Sequence, residues 1–530
     1  MRRGAVHSRA AMISLVLLAG FGTGCDGNAE GVSAEKVAAP PPDGAVTIDV
    51  KPATALARVD PRFLSFAVDS SQVAGGMWWS EDATVQGGTG SQKVPPFDFS
   101  RARLRALAAP LAPAFLRVGG SEADRVFYDL SETPVTAAPA PYELVLTRSI
   151  WDGLAGFGRD LGLTLFFTLN AGPGPRDAAK RWDATNAREL VRYATGRGDP
   201  VEVWELGNEI NGYPLIHGTD FLLDGAAYAK DLRTARAMLD ADAPGARLAG
   251  PSSAYWPLVG EMNPVMDDTL RDGGDVLDVV TWHYYPQQST RCPVTSRPAG
   301  LEVMLDPDAL DEVDVWAGEV EGHRDAHAPK TPVWLGETGN AQCGGAPGVS
   351  DRFAGTFWWV DELGRMARRD QPVVIRQTLS GSDYGLLDDT TLTPRPDYWA
   401  SVLWKRLMGP VVLDATSGAP LLRAYAHCAV AGAGVPPGAI GMALVNLADA
   451  ATTIGLPGGG HRLEAWTLTA DTLDARDVRL DGVALAAGAD GSLPDLDPRR
   501  LDFAAGRWLD LPPHSVAFLR LPDADAPACR

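Results

Sequence analysis

Two glutamates stand directly after short apolar segments, and their placement predicts paired acid–base chemistry. Glu209 closes the segment WELGNE (204–209), and Glu337 closes the segment WLGE (334–337). Two carboxyl groups suit glycoside hydrolysis, because one protonates the leaving oxygen while the other attacks the anomeric carbon. In a retaining enzyme they lie about 5–5.5 Å apart, and the charge on one raises the pKa of the other. The alternative is that either glutamate caps the following helix or is solvated in a loop.

Eight apolar segments alternate with helical patterns and would position this pair. Continuous apolar runs such as Leu163–Leu169 are typical of parallel strands covered on both faces. Eight such units predict a (β/α)8 barrel, in which chemistry lies at the carboxyl ends of the strands. Glu209 and Glu337 fall at the ends of the fourth and seventh. The predicted strands are Arg62–Ser71, Ala114–Glu122, Thr164–Gly172, Val201–Glu209, Arg247–Ala254, Val276–Tyr285, Pro332–Gly339 and Val373–Gly381.

The pattern changes after about residue 405, where short alternating runs separated by Gly, Pro and Asp turns replace the helical signals. This pattern predicts a β-sandwich. The fold class is therefore α/β, a (β/α)8 TIM barrel followed by a C-terminal β-sandwich domain. We divide the chain into a leader (1–25), a flexible tether (26–45), the barrel (46–404) and the sandwich (405–530). Residues 46–52 are a candidate additional strand of the sandwich.

The first 25 residues have the pattern of a lipoprotein signal peptide. Arg2, Arg3 and Arg9 form a basic region, and Ala11–Gly22 is an apolar stretch of suitable length. The segment GTGC that ends at Cys25 resembles a bacterial lipobox, with Gly where Leu is usual. We expect lipid attachment at Cys25 and localisation in the bacterial cell envelope. Ordinary cleavage nearby, which would give a secreted or periplasmic protein, is the alternative.

Composition excludes several classes of protein. The chain has 530 residues, of which 45% are hydrophobic and 22% charged, which excludes disorder, collagen and coiled coil. A net charge of −20 opposes binding to nucleic acid. No run of 18 apolar residues occurs, so we expect contact with a membrane through the lipid anchor only.

No motif for a cofactor or a metal stands out. The sequence has no P-loop, no G-x-G-x-x-G and no G-x-S-x-G, so we expect no cofactor. His323 and His327 have the spacing of a zinc pair, but no HExxH surrounds them. We therefore interpret them as part of a solvated helix and predict no metal site.

Several long segments resemble heparanase and the β-glucuronidases of glycoside hydrolase family 79. They are FLRVGG (115–120), WELGNE (204–209), TWHYY (281–285), VWLGETGNAQCGGAPGVS (333–350) and PRPDYW (394–399). The resemblance extends from about residue 46 to the C-terminus. It implies a retaining mechanism with Glu209 as the general acid/base and Glu337 as the nucleophile.

The resemblance also implies contacts to the sugar. Asn208 would bond the 2-hydroxyl, and Asp69, at the end of the first strand, would contact other sugar hydroxyls. Tyr284 or Tyr285 should lie near the nucleophile, and counting along the strand favours Tyr285. His283 is interpreted as a hydrogen-bonded rim residue that orients its neighbours.

A uronic acid substrate carries a carboxylate that needs hydrogen-bond donors. The family supplies backbone N–H groups of a glycine-rich loop and tyrosine hydroxyls, which correspond to Gly344, Gly345 and Tyr384. Gln342 stands where heparanase has a tyrosine, and Cys343 replaces a glycine. These two departures leave open whether the site is strictly specific for uronic acids.

Four cysteines remain after the leader. Cys428 and Cys529 match the pair that bridges the C-terminal domain of heparanase. Cys292 and Cys343 follow the sixth and seventh strands, which are neighbours in a barrel, so a second disulfide is a reasonable hypothesis. Free buried thiols are the alternative, and metal ligation is disfavoured because no C-x-x-C pair occurs.

Together these features predict an exo-acting β-glucuronidase that releases glucuronic acid, or its 4-O-methyl ether, from a carbohydrate substrate. Few basic residues lie where heparanase binds a sulfated chain; the aromatic residues Tyr255, Trp256, Trp78 and Trp79 either stack on neutral sugars or belong to the core. Alternatives are action on a neutral glycoside, internal cleavage of a glycan, or a non-catalytic glycan-binding surface lipoprotein. The sequence does not predict an oligomeric state.

Overall fold

The computed structural model describes residues 42–80, 90–456, 462–502 and 508–530. The predicted signal peptide, Cys25 and most of the predicted tether lie outside the described residues. Within the described ranges, every helix is too short or too polar to cross a membrane.

The helices of the described residues are α1 (Ser70–Ala74), α2 (Ala102–Ala108), α3 (Arg148–Leu161), α4 (Thr185–Arg197), α5 (Tyr213–Ile216), α6 (Gly225–Asp242), α7 (Met266–Gly273), α8 (Pro307–His327), α9 (Ala354–Arg368) and α10 (Pro396–Leu407). The strands up to residue 400 are β1 (Val46–Arg58), β2 (Leu64–Asp69), β3 (Met77–Trp79), β4 (Ser91–Lys93), β5 (Phe115–Gly119), β6 (Val126–Asp129), β7 (Leu144–Thr147), β8 (Thr164–Leu169), β9 (Val201–Leu206), β10 (Arg247–Trp256), β11 (Gly260–Glu261), β12 (Val279–Tyr284), β13 (Val333–Thr338) and β14 (Val374–Arg376).

Eight parallel strands close into a barrel, which confirms the first part of the predicted fold class. Their order is β2, β5, β8, β9, β10, β12, β13 and β14, and β14 pairs back onto β2. Each corresponds to one of the eight predicted strands. Helices connect them on the outside; α8, for example, begins at Pro307 after Asp306, whose side chain accepts a hydrogen bond from the backbone N–H of Asp308.

Apolar side chains fill the barrel interior toward the amino ends of the strands, and polar side chains follow toward the carboxyl ends. One buried cluster takes side chains from all eight strands, including Ala67, Phe115, Phe166 and Val203. Side chains two residues apart on a strand share a face. The next inward positions toward the carboxyl ends are therefore the polar residues Asp69, Arg117, Thr168 and Glu205. The apolar plug closes one end, so chemistry is confined to the other.

The rest of the chain forms a mainly antiparallel β structure, as predicted for the C-terminal sandwich. Its strands are β15 (Met408–Ser417), β16 (Leu422–Ala429), β17 (Ile440–Asn446), β18 (Thr452–Gly455), β19 (Arg462–Thr469), β20 (Arg479–Leu480), β21 (Val483–Ala484), β22 (Arg499–Asp502), β23 (Trp508–Leu511) and β24 (Ser515–Leu521). Strand β1 pairs with β15 along one part and with β18 along another, and so joins two groups of strands. A second apolar core contains Ile48, Leu413, Met442, Ile454 and Leu519.

Contacts between α9 and β16 hold the barrel to this second structure. The Tyr425 ring of β16 lies so close to Gly364 of α9 that an added Cβ would approach it to 2.2 Å. The Tyr425 hydroxyl donates to Asp361 Oδ1 at 2.5 Å. Glycine at 364 is therefore required by the close approach of helix and strand.

Both predicted disulfides are present. Cys428 of β16 is bonded to Cys529 near the C-terminus, across a sequence separation of 101 residues. Cys292, after β12, is bonded to Cys343, after β13. The second disulfide therefore ties together two neighbouring loops at the carboxyl end of the barrel.

Candidate active site

The fold brings the two predicted catalytic glutamates together at the open end of the barrel. Glu337 lies in β13, and Glu209 lies three residues beyond β9. One carboxylate oxygen of each and one ring nitrogen of His283 all lie within 4.8 Å of one another. Only 8% of Glu209 and 6% of Glu337 is exposed. Two nearly buried carboxyl groups at this separation can act on the two atoms of one bond in a bound molecule.

A tight turn after β9 aims Glu209 at its partner. Gly207 has a φ of +72°, and an added Cβ there would lie 2.6 Å from Ile210 and from the Tyr213 hydroxyl. Glu209 itself has a φ of +51°, which is uncommon for a residue with a side chain. Its backbone N–H donates to the carbonyl of Ser252 at 3.0 Å. The backbone strain is therefore offset locally by a fixed hydrogen bond.

A buried arginine binds Glu337, the predicted nucleophile, and the side chains around it. Arg117 of β5 is fully buried and donates from Nη1 to Glu337 Oε2 at 2.7 Å. It also donates from Nη2 to Glu205 Oε2 at 2.8 Å and to Asn208 Oδ1 at 2.8 Å. Burial alone would raise the pKa of Glu205, but the charge of Arg117 and the hydrogen bonds from Arg117 and Thr168 act together against it, and the pKa lies below its ordinary value. One guanidinium thus compensates two carboxylates and orients the predicted sugar-binding amide.

Neither Arg117 nor Glu205 was assigned a role from the sequence, although both stand in the segments that carry the family resemblance. The available signal was a charged side chain in the middle of an apolar strand. A charge buried in a parallel strand needs an opposite charge, and the fold supplies it across the barrel.

Burial sets the protonation of the predicted acid. It raises the pKa of Glu209 to about 7, against the opposing charge of Arg117. His283, next to last in β12, is hydrogen-bonded as predicted and is fully buried; burial lowers its pKa to about 4, so it is neutral at neutral pH. Its Nε2 faces the Ser252 hydroxyl at 2.7 Å and an Arg117 N–H at 3.4 Å, so this nitrogen acts as an acceptor. The proton is therefore on Nδ1, which donates to Glu209 Oε1 at 3.2 Å.

The structure separates the two candidate tyrosines. The Tyr285 hydroxyl donates to Glu337 Oε1 at 2.7 Å, so both oxygens of Glu337 are bound. Tyr284 is 1% exposed and packs against Trp282 in the main core. Successive residues of a strand point to opposite faces, so only one of the two tyrosines can face the glutamates. Tyr284 is not brought together with the other predicted site residues.

Asp69 lies at the end of β2, close enough to Glu337, one of the two predicted catalytic residues, to feel its charge. Its Oδ1 accepts from the N–H and the hydroxyl of Ser71, both at 2.9 Å. Burial, and then the negative charges of Glu122 and Glu337, raise its pKa well above the ordinary value. An added Cβ at Gly120 would lie 1.9 Å from Asp69 Oδ2, so only glycine leaves room for this carboxyl.

The predicted glycine loop, Gly344 and Gly345, is held at its outer side by a disulfide and an arginine. Gly344 and Gly345 have φ values of +80° and +79°, and Cys343 before them is held by its disulfide. Arg291, next to Cys292, donates to the Gly345 carbonyl at 3.0 Å and pairs with Asp383 at 2.7 Å. The Gly344 carbonyl also accepts from Arg291, at 3.5 Å, so the disulfide and the arginine both hold the outer side of the loop.

Aromatic side chains line the space between this loop and Asp69. Trp78, Tyr285 and Tyr384 form one buried cluster, with the two tyrosine rings 6.4 Å apart and stacked. An added Cβ at Gly344 would lie 2.4 Å from Trp79 Cγ. Tyr255 and Trp256 are also nearly buried, at 2% and 8% exposed, but Tyr255 packs in the main core and not in this cluster.

Comparison with known proteins identifies relatives along most of the chain. Residues 45–364 match the model of the glycosyl hydrolase family 79 N-terminal domain. Heparanase of Mus musculus is 30% identical over 542 residues, which are 92% of this chain and 95% of that protein. Heparanase of Gallus gallus is 31% identical over 487 residues, 81% of this chain and 89% of that protein. Inactive heparanase-2 of Homo sapiens is 30% identical over 410 residues, 73% of this chain and 66% of that protein.

Solved structures share the fold at lower identity. A 4-O-α-L-rhamnosyl-β-D-glucuronidase from Fusarium oxysporum aligns over 90% of this chain and 99% of its own, with a TM-score of 0.62 and 14% identity. The α-L-arabinofuranosidase from Thermotoga petrophila aligns over 90% of this chain and 100% of its own, with a TM-score of 0.63 and 14% identity. At this identity the likeness describes the fold alone.

Proposed function

Because the chain belongs to glycosyl hydrolase family 79, we propose that it is a retaining, exo-acting β-glucuronidase. Its products would be glucuronic acid, or the 4-O-methyl ether, released from the ends of glycans or from small glucuronides. The observation that carries the proposal is the pair Glu209 and Glu337, with carboxylate oxygens within 4.8 Å and different environments.

The geometry supports a double displacement. Glu209, protonated because burial raises its pKa to about 7, gives its proton to the glycosidic oxygen as that bond breaks. Glu337, held by Arg117 and Tyr285, attacks the anomeric carbon and forms a glycosyl ester. Glu209, now ionised, takes a proton from water, which displaces Glu337 from that carbon. An inverting enzyme needs about 6.5–9.5 Å between its carboxyl groups to admit water, so the shorter separation favours retention.

Two features support a hexuronic acid next to these glutamates. The disulfide and Arg291 hold the Gly344–Gly345 loop, whose N–H groups are the donors that the family resemblance assigns to the uronate. Asn208 accepts through Oδ1 from Arg117 and from the Gly120 N–H at 3.1 Å, which leaves its amide N–H groups for the 2-hydroxyl.

The near-complete burial of the glutamates supports attack at a chain end, because an internal bond needs a cleft open on both sides.

We also propose that the chain is lipid-anchored at Cys25 in the bacterial cell envelope, with residues 26–45 as the tether. A Cys25→Ser variant of the full chain, expressed in a bacterial host, should move from the membrane fraction to the soluble fraction. A wild-type protein that is already soluble would contradict the anchor.

The proposed activity is tested with four aryl glycosides. Purified protein is incubated with the aryl β-glucuronide, β-glucoside, β-xyloside and α-arabinofuranoside, beside Glu337→Gln and the matched control Glu189→Gln, an exposed position on α4. We expect turnover of the glucuronide alone, lost in Glu337→Gln and kept in Glu189→Gln. NMR of the first product should show the β-anomer.

Other outcomes redirect the assignment. Turnover of a neutral glycoside would indicate that Gln342 and Cys343 have changed the specificity. Turnover of none of the four would favour internal cleavage or a glycan-binding role. An α-anomer as the first product would contradict retention.

A further inference from the structure

A cluster of two histidines and one aspartate joins two helices on the outside of the barrel. His323 and His327 are one turn apart on α8, so they share a helix face. Both contact Asp267 in the first turn of α7: His323 Nδ1 lies 3.0 Å and His327 Nε2 lies 2.9 Å from the same oxygen, Oδ1. The three side chains thus meet at one point between helices from successive β/α units.

We propose that His323, His327 and Asp267 form a binding site for a divalent transition-metal ion, with zinc as the natural probe. An ionised carboxylate oxygen only accepts hydrogen bonds, so each imidazole nitrogen facing it carries a proton in the metal-free protein. When a metal ion binds there, the proton of each neutral imidazole moves to its other ring nitrogen, and the ion is bound by two nitrogens and one oxygen. This donor set suits zinc, at bond lengths of about 2.0–2.2 Å.

The side chains have the freedom to close around an ion. The exposed fractions are 29% for the His323 side chain, 24% for His327 and 49% for Asp267. Both imidazoles therefore reach solvent and can turn toward each other from the shared hydrogen-bond acceptor without repacking the core. Three protein ligands leave the fourth position of a tetrahedral zinc site to water.

Neighbouring charges do not block the site. Arg271 approaches Asp267 only at 4.0 Å, and on the other oxygen, Oδ2. That arginine is held instead by Asp268, at 2.5 Å, and by Asp272, at 2.9 Å. Oδ1 is therefore left to the two imidazoles, and the closest cation belongs to other carboxylates.

This site is separate from the active site and does not depend on the proposed activity. Its ligands lie on α7 and α8, in the outer layer, whereas the catalytic glutamates end barrel strands. A metal ion here would link the two helices, and because it binds the folded chain, it would raise the melting temperature. The proposed role is structural.

The test is zinc binding measured by calorimetry on the purified, chelator-treated chain. We expect one equivalent of zinc at this site, and affinity lowered at least about tenfold by His323→Ala, His327→Ala or Asp267→Asn. Asp268→Asn is the matched control, because this neighbouring carboxylate faces Arg271 and should leave zinc affinity unchanged. The melting temperature should rise with zinc in wild type and Asp268→Asn, and not in the double variant His323→Ala/His327→Ala.

A second variant separates this site from the active site, where Glu209, His283 and Glu337 also group three possible ligands. Zinc binding at the α7–α8 site should remain in Glu337→Gln. Cobalt(II) bound there in place of zinc should give visible absorption bands, and these should disappear in the double histidine variant. Absence of binding at 100-fold molar excess of zinc would overturn the proposal. Binding that survives loss of both histidines, or that is lost only in Glu337→Gln, would overturn it equally.

Discussion

Raising the pH should remove the proton that Glu209 gives to the leaving group in the proposed mechanism. The pH at which activity falls therefore reports the raised pKa of this carboxyl. Burial raises the pKa of this carboxyl to about 7, and the turn after β9 keeps it buried. Above that pH the protonated fraction falls about tenfold per unit, to roughly one hundredth at pH 9. For an alkyl glucuronide, whose leaving oxygen needs a proton, kcat/KM should fall in the same proportion.

The assay compares an alkyl glucuronide with a nitrophenyl glucuronide across about pH 3–9, in wild type and in Glu209→Gln. General acid catalysis contributes about 10²–10⁴-fold, so Glu209→Gln should lose that much on the alkyl substrate and its basic limb should disappear. The nitrophenyl substrate has a good leaving group and serves as the internal control, with a much smaller loss in kcat/KM.

Two results would refute this reasoning. The first is a basic limb near the ordinary glutamate pKa of about 4.3, which would mean that burial does not control the acid. The second is an equal loss of kcat/KM on both substrates, which would mean that Glu209 does not protonate the leaving group.

Three further perturbations test the supports of the site. Arg117→Met should cost about 3–5 kcal/mol of unfolding free energy in chemical denaturation, because it leaves buried carboxylates without a cation; a loss no larger than that of Arg117→Lys would contradict this. Gly344→Ala should lower kcat/KM for the glucuronide about 10- to 100-fold, because the added Cβ would clash with the Trp79 side chain. Gly348→Ala is the matched control: Gly348 is also left-handed, but an added Cβ there meets nothing closer than the end of the Arg352 side chain, so kcat/KM should change little. The double variant Cys292→Ser/Cys343→Ser opens a crosslink spanning 51 residues and should lose about 4 kcal/mol of unfolding free energy. Its KM should rise for the glucuronide and not for a neutral glycoside, and an equal rise for both would argue against a role in holding the uronate loop.

The barrel could be predicted because each of its strands is a local signal. A parallel strand covered on both faces is a continuous apolar run, and eight such runs alternate with helical periods. Strand β1 shows the limit of this reasoning, because residues 46–52 could be named as a candidate strand of the sandwich, but its extent to Arg58 and its two partners could not be predicted. Its exposed, mixed sequence pairs with β15 and β18, more than 350 residues later, and such pairing is decided by partners that the local pattern does not contain.

The zinc-like spacing of His323 and His327 was interpreted from the sequence as a solvated helix. Spacing alone places two imidazoles on one helix face, which is common and carries no ligand information. The carboxylate that both contact, Asp267, comes from another helix more than 50 residues earlier. Only packing of α7 against α8 creates the cluster.

By itself, the sequence determined the fold class and the positions of Glu209 and Glu337, and it indicated both disulfides beside the alternative of free thiols, because strand ends, cysteine positions and family segments can be read along the chain. The tertiary structure decided what surrounds those glutamates: Arg117 and Tyr285 bind Glu337, and His283 binds Glu209. The physical reason is that inward-facing residues alternate along every strand, but their partners are set by closure of the barrel. Protonation states follow from that closure, since burial and opposite charge across the barrel exist only once the eight strands have met.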